Sequence, residues 1–337
     1  MKLLHVNFHK GCESDIAYVF KKLGHTVESW RFDDGETYDD NIYKITYNRA
    51  QKCWDKHQHF FNMFDGIITS DTCPTSRPFL QNNWSKLLII WVCNRFDYAV
   101  EGDTLFYELL RTIPNRNNVY IIGNTQIENI YSKQIRNVDI TDEIIKPLGK
   151  NLISDHLFKR HNPEDEFIFF IPVYENETKF MNLSQKANEL GIKNNNGDRF
   201  KNHVSDLLEY KGIICLPYAW STITFFEVMQ LGIIYFIPTP RFLVEMSRSN
   251  QYFRQQYWFQ PPYNADPQLL RAAEWYCDEH KDLIVYFDSW EDLQEKVKTT
   301  DYESQTQKII EFAQQHATYT LSMWNNIIID YTSKNDI

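Results

Sequence analysis

Glycine is scarce in this chain, with 11 in 337 residues, and none is gathered into a phosphate-cradling or nucleophile-presenting motif. GxGxxG, GxxxxGK[ST] and GxSxG are all absent, which removes the ordinary signals of a dinucleotide dehydrogenase, a P-loop NTPase and a hydrolase elbow. The six cysteines (Cys12, Cys53, Cys73, Cys93, Cys215, Cys277) contain no CxxC pair, and no His/Cys set has zinc spacing, so no metal is expected. Several of them sit in or beside apolar runs, where a reduced cysteine packs as a small hydrophobe, and a reducing, cytoplasmic setting follows. Long apolar runs are missing too. "KLLIIWVC" (Lys86–Cys93) is far below a bilayer span, and "MKLLHVNFHKG" is too short a run for a signal peptide. A protein without a transmembrane segment is expected, with peripheral membrane contact left open. Basic clusters are also lacking. A formal charge of -10 and a pI near 5.5 argue against nucleic acid as a partner, because phosphate neutralisation needs clustered Lys and Arg. A small acidic ligand stays compatible, held by helix N-termini and one or two cations. No repeat of 20 to 50 residues and no low-complexity tract is present.

What is present is material for two cores, with 43% hydrophobic and 15% aromatic residues in a chain longer than one core usually takes. "KLLHVNF", "IAYVFKKLG" ending at Gly24, and "HTVESWRF" read as strand, helix, strand, a unit that builds parallel sheets. The alternation continues through "DGIITS", "KLLIIWVCNRFD" and "NVYIIGN", whose ends carry His9, Ser70, Asp71, Asn94, Arg95, Asp97, Gly123 and Asn124. It weakens around 137–164 and restarts: "EFIFFIPV" as strand, "NNNGD" as turn, "RFKNHVSDLLEY" as helix, "KGIICLPY" and "GIIYFIPT" as strands, then helices to the end. The expected class is α/β, with two Rossmann-like domains over 1–145 and 160–310 facing a central cleft. A C-terminal helix over 311–337 follows, for which a crossing back to the first domain is one option.

In "PYAWSTITFFEVMQLGIIYFIPT" (Pro217–Thr239) one carboxylate, Glu227, stands among apolar residues, and a buried carboxylate needs hydrogen bonds, a ligand or water. The simpler account is a capping box, Thr224 as N-cap with Glu227 reaching back. The other is an N-cap at Ser221, which gives nearly three turns before Gly232 and puts Thr222, Ile223 and Thr224 in the first turn. Free amides and hydroxyls there favour a diphosphate, and Glu227 in the second turn can accept from a ribose diol.

"FFEVMQLGIIYFIPT" resembles the donor-nucleotide segment of GT-B glycosyltransferases, in which a Glu-bearing helix, a glycine and a strand ending near proline follow one another. The resemblance implies transfer of a sugar from a nucleotide sugar, the only co-substrate required, to a hydroxyl acceptor such as a glycan. It implies that Glu227 holds the ribose, with Ser221, Thr222 and Thr224 beside the diphosphate, and that the first domain binds the acceptor and the second the donor. The loop after "EFIFFIPV" reads "YENETK" and offers Lys179 where retaining members commonly place an Arg and a Lys, which leans toward inversion. An inverting enzyme needs a base. His9, after the first strand, resembles the base position of some inverting members, and Asp97 is the second candidate. Glu13 and Asp15 in the same loop are more simply first-turn acids favouring the helix dipole.

In "NRFD", Asn94 and Arg95 are candidates for acceptor binding, against the simpler account of an Arg95–Asp97 ion pair holding the loop. Tyr174 and Tyr218 are candidates to stack on the nucleobase, and Lys179 to meet a phosphate. Asp33/Asp34 and Asp39/Asp40 fall in a polar loop and read as solvated turns, not a DxD metal grip. Two alternatives stay open: a noncatalytic protein binding a nucleotide or saccharide, and a nucleotide-sugar epimerase of the same fold.

Overall fold

The run "LLIIWV" is apolar without interruption, and it is buried along its whole length, as a central strand covered on both faces must be. The computed structural model describes residues 1–35, 41–141, 143–150, 168–173, 181–198, 204–217, 219–249 and 266–335. The chain divides into two units, Met1–Leu152 with Ala317–Ile337, and Ile153–His316.

In the first unit β1 (Lys2–Val6), β2 (Thr26–Trp30), β3 (Gly66–Asp71), β4 (Leu87–Val92) and β5 (Val119–Gly123) form one parallel sheet in the order β2-β1-β3-β4-β5. The strand order reverses between β1 and β3, and at such a switch point the carboxyl ends of neighbouring strands diverge and leave room for a ligand. Helix α1 (Lys10–Lys22) follows β1 and stops, as expected, at Gly24, whose φ of +81° suits glycine. Helices α2 (Tyr47–Phe61), α3 (Arg77–Gln81), α4 (Thr104–Arg111) and α5 (Gln126–Ile130) complete the crossovers. Trp324 is fully buried against Phe20 and Trp91, at centroid distances of 5.6 and 5.7 Å, and the Tyr120 hydroxyl donates to Asp330 at 2.7 Å. Residues 317–337 therefore share this unit's core.

In the second unit β6 (Phe169–Val173), β7 (Asn194–Asp198), β8 (Ile213–Ile214), β9 (Tyr235–Pro238) and β10 (Ile284–Phe287) form a second parallel sheet, ordered β10-β9-β8-β6-β7. Read from the β7 edge this is the topology of the first sheet, with its switch point between β6 and β8. Helices α6 (Leu183–Glu189), α7 (Ile223–Gln230), α8 (Pro240–Ser249), α9 (Pro267–Arg271) and α10 (Trp290–Thr299) precede the long α11 (Tyr302–Lys334). The glycine ending α7, Gly232, has φ +68°, and a Cβ there would come within 2.8 Å of Ile310. Both its backbone angle and its neighbour in α11 require glycine.

The α/β class and both parallel sheets are as expected. Three local expectations are corrected. "NNNGD" is strand β7, because an edge strand paired through its backbone to β6 from Asn194 to Asp198 needs no apolar alternation. The segment expected as a helix near 199–210 is described as a short 3-10 turn over Val204–Glu209. "IVYF" is strand β10 where helices were expected, its four residues being too few to set a period against the helical stretches around them. Among the described residues no helix is long and apolar enough to cross a membrane.

Candidate functional site

At the switch point of the first sheet, β1 runs through the buried Asn7 and the half-buried Phe8 to His9, which is exposed and caps α1. Its Nδ1 accepts from the Cys12 amide at 3.4 Å, a long bond and so a weak hold on the ring. Across the switch point β3 ends on Asp71, a buried non-glycine residue at φ +73°. That conformation costs roughly 1–2 kcal/mol for an L residue and persists because the Asp71 carbonyl accepts from both the Cys93 and Asn94 amides, at 3.0 and 2.9 Å. Burial pushes the Asp71 carboxyl up in pKa, while the positive charge of His9 and hydrogen bonds from Tyr43 and Asn94 pull it back.

Cys12 and Cys93 belong to the same group. A hydrogen bond from Cys93, with further help from His9, lowers the Cys12 thiol to about 7 despite its burial, while burial first and the bond to Cys12 second raise Cys93. Tyr43 packs edge-on against Phe8 at 5.1 Å and Tyr98 at 5.4 Å, which walls this edge with aromatic rings. The structure thus gathers His9 and Asn94, both singled out from sequence, with Asp71, Tyr43, Cys12 and Cys93, which had no assigned role. Asp71 was legible as a polar residue closing a buried strand. Tyr43 carried no such mark.

Arg95 lies over the Tyr131 ring at 5.5 Å with Glu101 at 4.0 Å. The ion pair at Asp97 is with Arg136, at 2.8 Å, and not the expected one with Arg95. Asp97 is fully buried, and its carboxylate also accepts from the hydroxyls of Tyr107 at 2.6 Å and Tyr131 at 3.0 Å. A carboxylate so engaged has no open path to a substrate proton.

Beneath this edge His5 Nε2 lies 2.8 Å from the Ser70 hydroxyl, and the Asn7 amide nitrogen 3.4 Å from His5 Nδ1. The set resembles a nucleophile, base and orienter, but the proton is on the wrong nitrogen. The Asn7 amide also donates to Ser29, at 3.1 Å. Donating to Nδ1 as well, it leaves Nε2–H as the donor toward Ser70, and complete burial lowers the imidazole to about 3. This is a neutral structural network.

In the second unit the cap of α7 is Thr222, whose hydroxyl accepts from the Phe225 amide at 3.2 Å, and neither Ser221 nor Thr224. Residue N3 is therefore Phe225, and the capping-box account of Glu227 does not hold. Ile223, Phe225, Phe226, Val228 and Met229 are buried, while Thr224, Glu227 and Gln230 form a half-buried stripe at every third position. Glu227 thus keeps access to water. Ser221 places its hydroxyl just ahead of the cap, buried and without a hydrogen-bond partner among the described residues.

The chain entering α7 is anchored elsewhere: Trp275 Nε1 donates to the Ala219 carbonyl at 2.7 Å, and the Glu274 amide to the Trp220 carbonyl at 2.8 Å. The Trp275 ring stands edge-on to Phe225 at 4.9 Å. Tyr174, Lys179 and Tyr218 lie outside the described residues.

No family model matches the chain, and no curated protein matches it. Solved structures do. The glycotransferase of kitacinnamycin aligns over 97% of this chain and 98% of its own, at 8% identity and a TM-score of 0.50. The calicheamicin glycosyltransferase aligns over 98% of both chains, at 10% identity and a TM-score of 0.51. The chain has the GT-B fold. A UDP-GlcNAc 2-epimerase from Neisseria meningitidis aligns over 99% of this chain and 100% of its own, at 9% identity and a TM-score of 0.47. Within a GT-B fold, the two edges described above are the ends of the two Rossmann-like sheets.

Proposed function

We propose that the chain transfers a sugar from a nucleotide sugar to a hydroxyl group, on a glycan for preference, without a divalent metal. One observation carries the reading: α7, which follows β8 of the second sheet, presents Thr224 and Glu227 on one half-buried, water-accessible stripe directly behind its N-terminus. The amides of Ile223 and Thr224, with the hydroxyls of Ser221, Thr222 and Thr224, are assigned the diphosphate, since a helix start carries partial positive charge and unpaired donors. Glu227 is assigned the ribose diol. Tyr174 and Tyr218 are assigned the nucleobase and Lys179 a phosphate, as the sequence suggests.

For the acceptor, the reading takes Asn94 and Arg95 as binding groups and His9 as the base, since the Asp97 carboxylate is engaged by Arg136 and two tyrosines. An incoming hydroxyl would take the place of the Cys12 amide on His9 Nδ1. Its oxygen attacks the anomeric carbon, the bond to the diphosphate oxygen breaks, and the hydroxyl proton passes to His9, whose positive charge favours the ionised form of the nearby Asp71 carboxyl. The anomeric centre inverts.

A second reading has its own support. His9 Nδ1 already accepts the Cys12 amide, so in this reading the histidine is a helix cap in a protein that binds a nucleotide or saccharide without turnover. A melting-temperature panel of nucleoside diphosphates and nucleotide sugars, paired with an assay for donor hydrolysis and transfer, separates the two. The transferase reading expects a UDP or GDP shift that Glu227→Ala weakens about 10- to 100-fold in affinity, the loss of charge-assisted hydrogen bonds. It also expects turnover that His9→Ala lowers about 10²- to 10⁴-fold. Binding without turnover supports the second reading, and donor interconversion without acceptor points to an epimerase. No shift with any nucleotide removes the donor site.

A further inference from the structure

We propose that Glu274, Cys277 and His280 form a site for a thiophilic divalent cation, zinc, which pins the chain entering α7. The three recur at every third position of "EWYCDEH", and the backbone there turns tightly. The Cys277 amide donates to the Ala273 carbonyl at 2.9 Å, and the His280 amide to the Cys277 carbonyl at 3.1 Å. One ligand atom from each side chain lies within 4.8 Å of the other two. Sequence spacing alone missed the set because it lacks a second Cys or His.

The separations suit coordination. Glu274 Oε2 is 3.2 Å from His280 Nδ1 and 4.0 Å from Cys277 Sγ. Zinc bonds at a tetrahedral angle hold an oxygen and a nitrogen about 3.3 Å apart, and an oxygen and a sulfur about 3.6 Å apart. The first pair is already in place, and the sulfur has a short distance to close. The Glu274 carbonyl oxygen, 2.9 Å from Nδ1 and 3.6 Å from Sγ, or a water, takes the fourth position.

The simpler account is an ion-free cluster in which Glu274 and His280 lie 3.2 Å apart beside a bystander thiol. Glu274 is 2% exposed and His280 0%, and the imidazole is ringed by Phe225, Phe226 and Phe312 at 5.1, 5.9 and 5.5 Å. A setting this dry calls for a centre whose charges cancel. A divalent cation on one carboxylate, one thiolate and one neutral imidazole makes a centre with no net charge, and the thiolate selects a soft ion over magnesium or calcium. The half-buried Cys277 gives the ion its entry. Because the Glu274 amide and the Trp275 indole hold the carbonyls of Trp220 and Ala219, a cation here would fix the residues immediately ahead of Ser221 and Thr222. The site does not depend on the transferase reading.

The test uses the full chain, stripped with a chelator and titrated with Zn²⁺ and, separately, Co²⁺. One equivalent bound per chain, a near-ultraviolet thiolate-to-cobalt band, and loss of that band in Cys277→Ser but not in Cys12→Ser or Cys93→Ser are expected. Glu274→Gln should weaken binding at least tenfold and abolish the rise in melting temperature that Zn²⁺ gives the parent chain. Binding well below one equivalent, or a cobalt band that Cys277→Ser leaves intact, overturns the proposal. If Cys277→Ser does not fold, the parent chain still decides, since cobalt bound without a thiolate band overturns it equally.

Discussion

The two switch-point edges are built in opposite ways. In the first unit the polar groups are brought together from four separate places in the sequence: after β1, at Tyr43, at the end of β3 and after β4. Asp71 and Cys12 among them are buried, and Asp71 holds a left-handed backbone. In the second unit the candidate groups from Ser221 to Glu227 are contiguous, half-open to solvent and arranged by helical period alone. A site assembled across strand ends is rigid and interlocked, so its parts affect stability and function together. A stripe on one helix face can change without disturbing the core beneath it.

The largest effect that sharpens this contrast is at Asp97. Its carboxylate serves Arg136, Tyr107 and Tyr131 inside the first unit, so Asp97→Ala leaves a cation and two hydroxyls without their acceptor. A loss of about 3–5 kcal/mol in unfolding free energy is expected, by chemical denaturation. His9→Ala, at an exposed position where a long capping bond is lost, should cost about 1 kcal/mol. Equal and small losses in both variants would mean that Asp97 is no part of the interlocked framework.

How legible all this was in the sequence depends on range. The sheets could be read because apolar strands and helical periods are local, and Gly24 and Gly232 marked their helix ends as expected. Glu227 shows the limit of reading burial from neighbours alone. Its apolar neighbours suggested burial, whereas a three-residue period leaves it on the open stripe with Thr224 and Gln230. At Asp97 the nearby Arg95 suggested a local ion pair, and the true partner, Arg136, comes from beyond β5. Nothing in local spacing distinguishes the two arginines. "NNNGD" failed likewise, since its pairing with β6 is a backbone property that side chains do not announce.

The next effect concerns acid. His5 is neutral in the folded protein, with its pKa lowered from 6.5 to about 3 by burial. Unfolded chains therefore bind the extra proton first, so this residue's contribution is intact above pH 6.5 and is lost as pH falls toward 3. The slope approaches about 1.4 kcal/mol per pH unit. His5→Gln keeps a donor for Ser70 but cannot titrate, so the variant should gain on the parent as pH is lowered through this window, by denaturation at a series of pH values. A parent-minus-variant difference that stays flat would mean that the ring is solvated or charged in the fold.

The smallest expected effect tests the other edge. Thr222→Ala removes the one side-chain hydroxyl shown to cap α7 and should cost about 1 kcal/mol of unfolding free energy, whereas Thr222→Gly should cost only about a few tenths of a kcal/mol. Ser221→Ala and Thr224→Ala, on either side, should leave stability nearly unchanged, because neither is the cap. The three alanine variants ranked by nucleotide affinity need not follow that order. If Ser221→Ala weakens a nucleoside diphosphate while sparing stability, the helix start serves the ligand as well as the fold. If affinity simply tracks stability across all three, the open stripe is only a surface of the second unit, unlike the interlocked edge of the first.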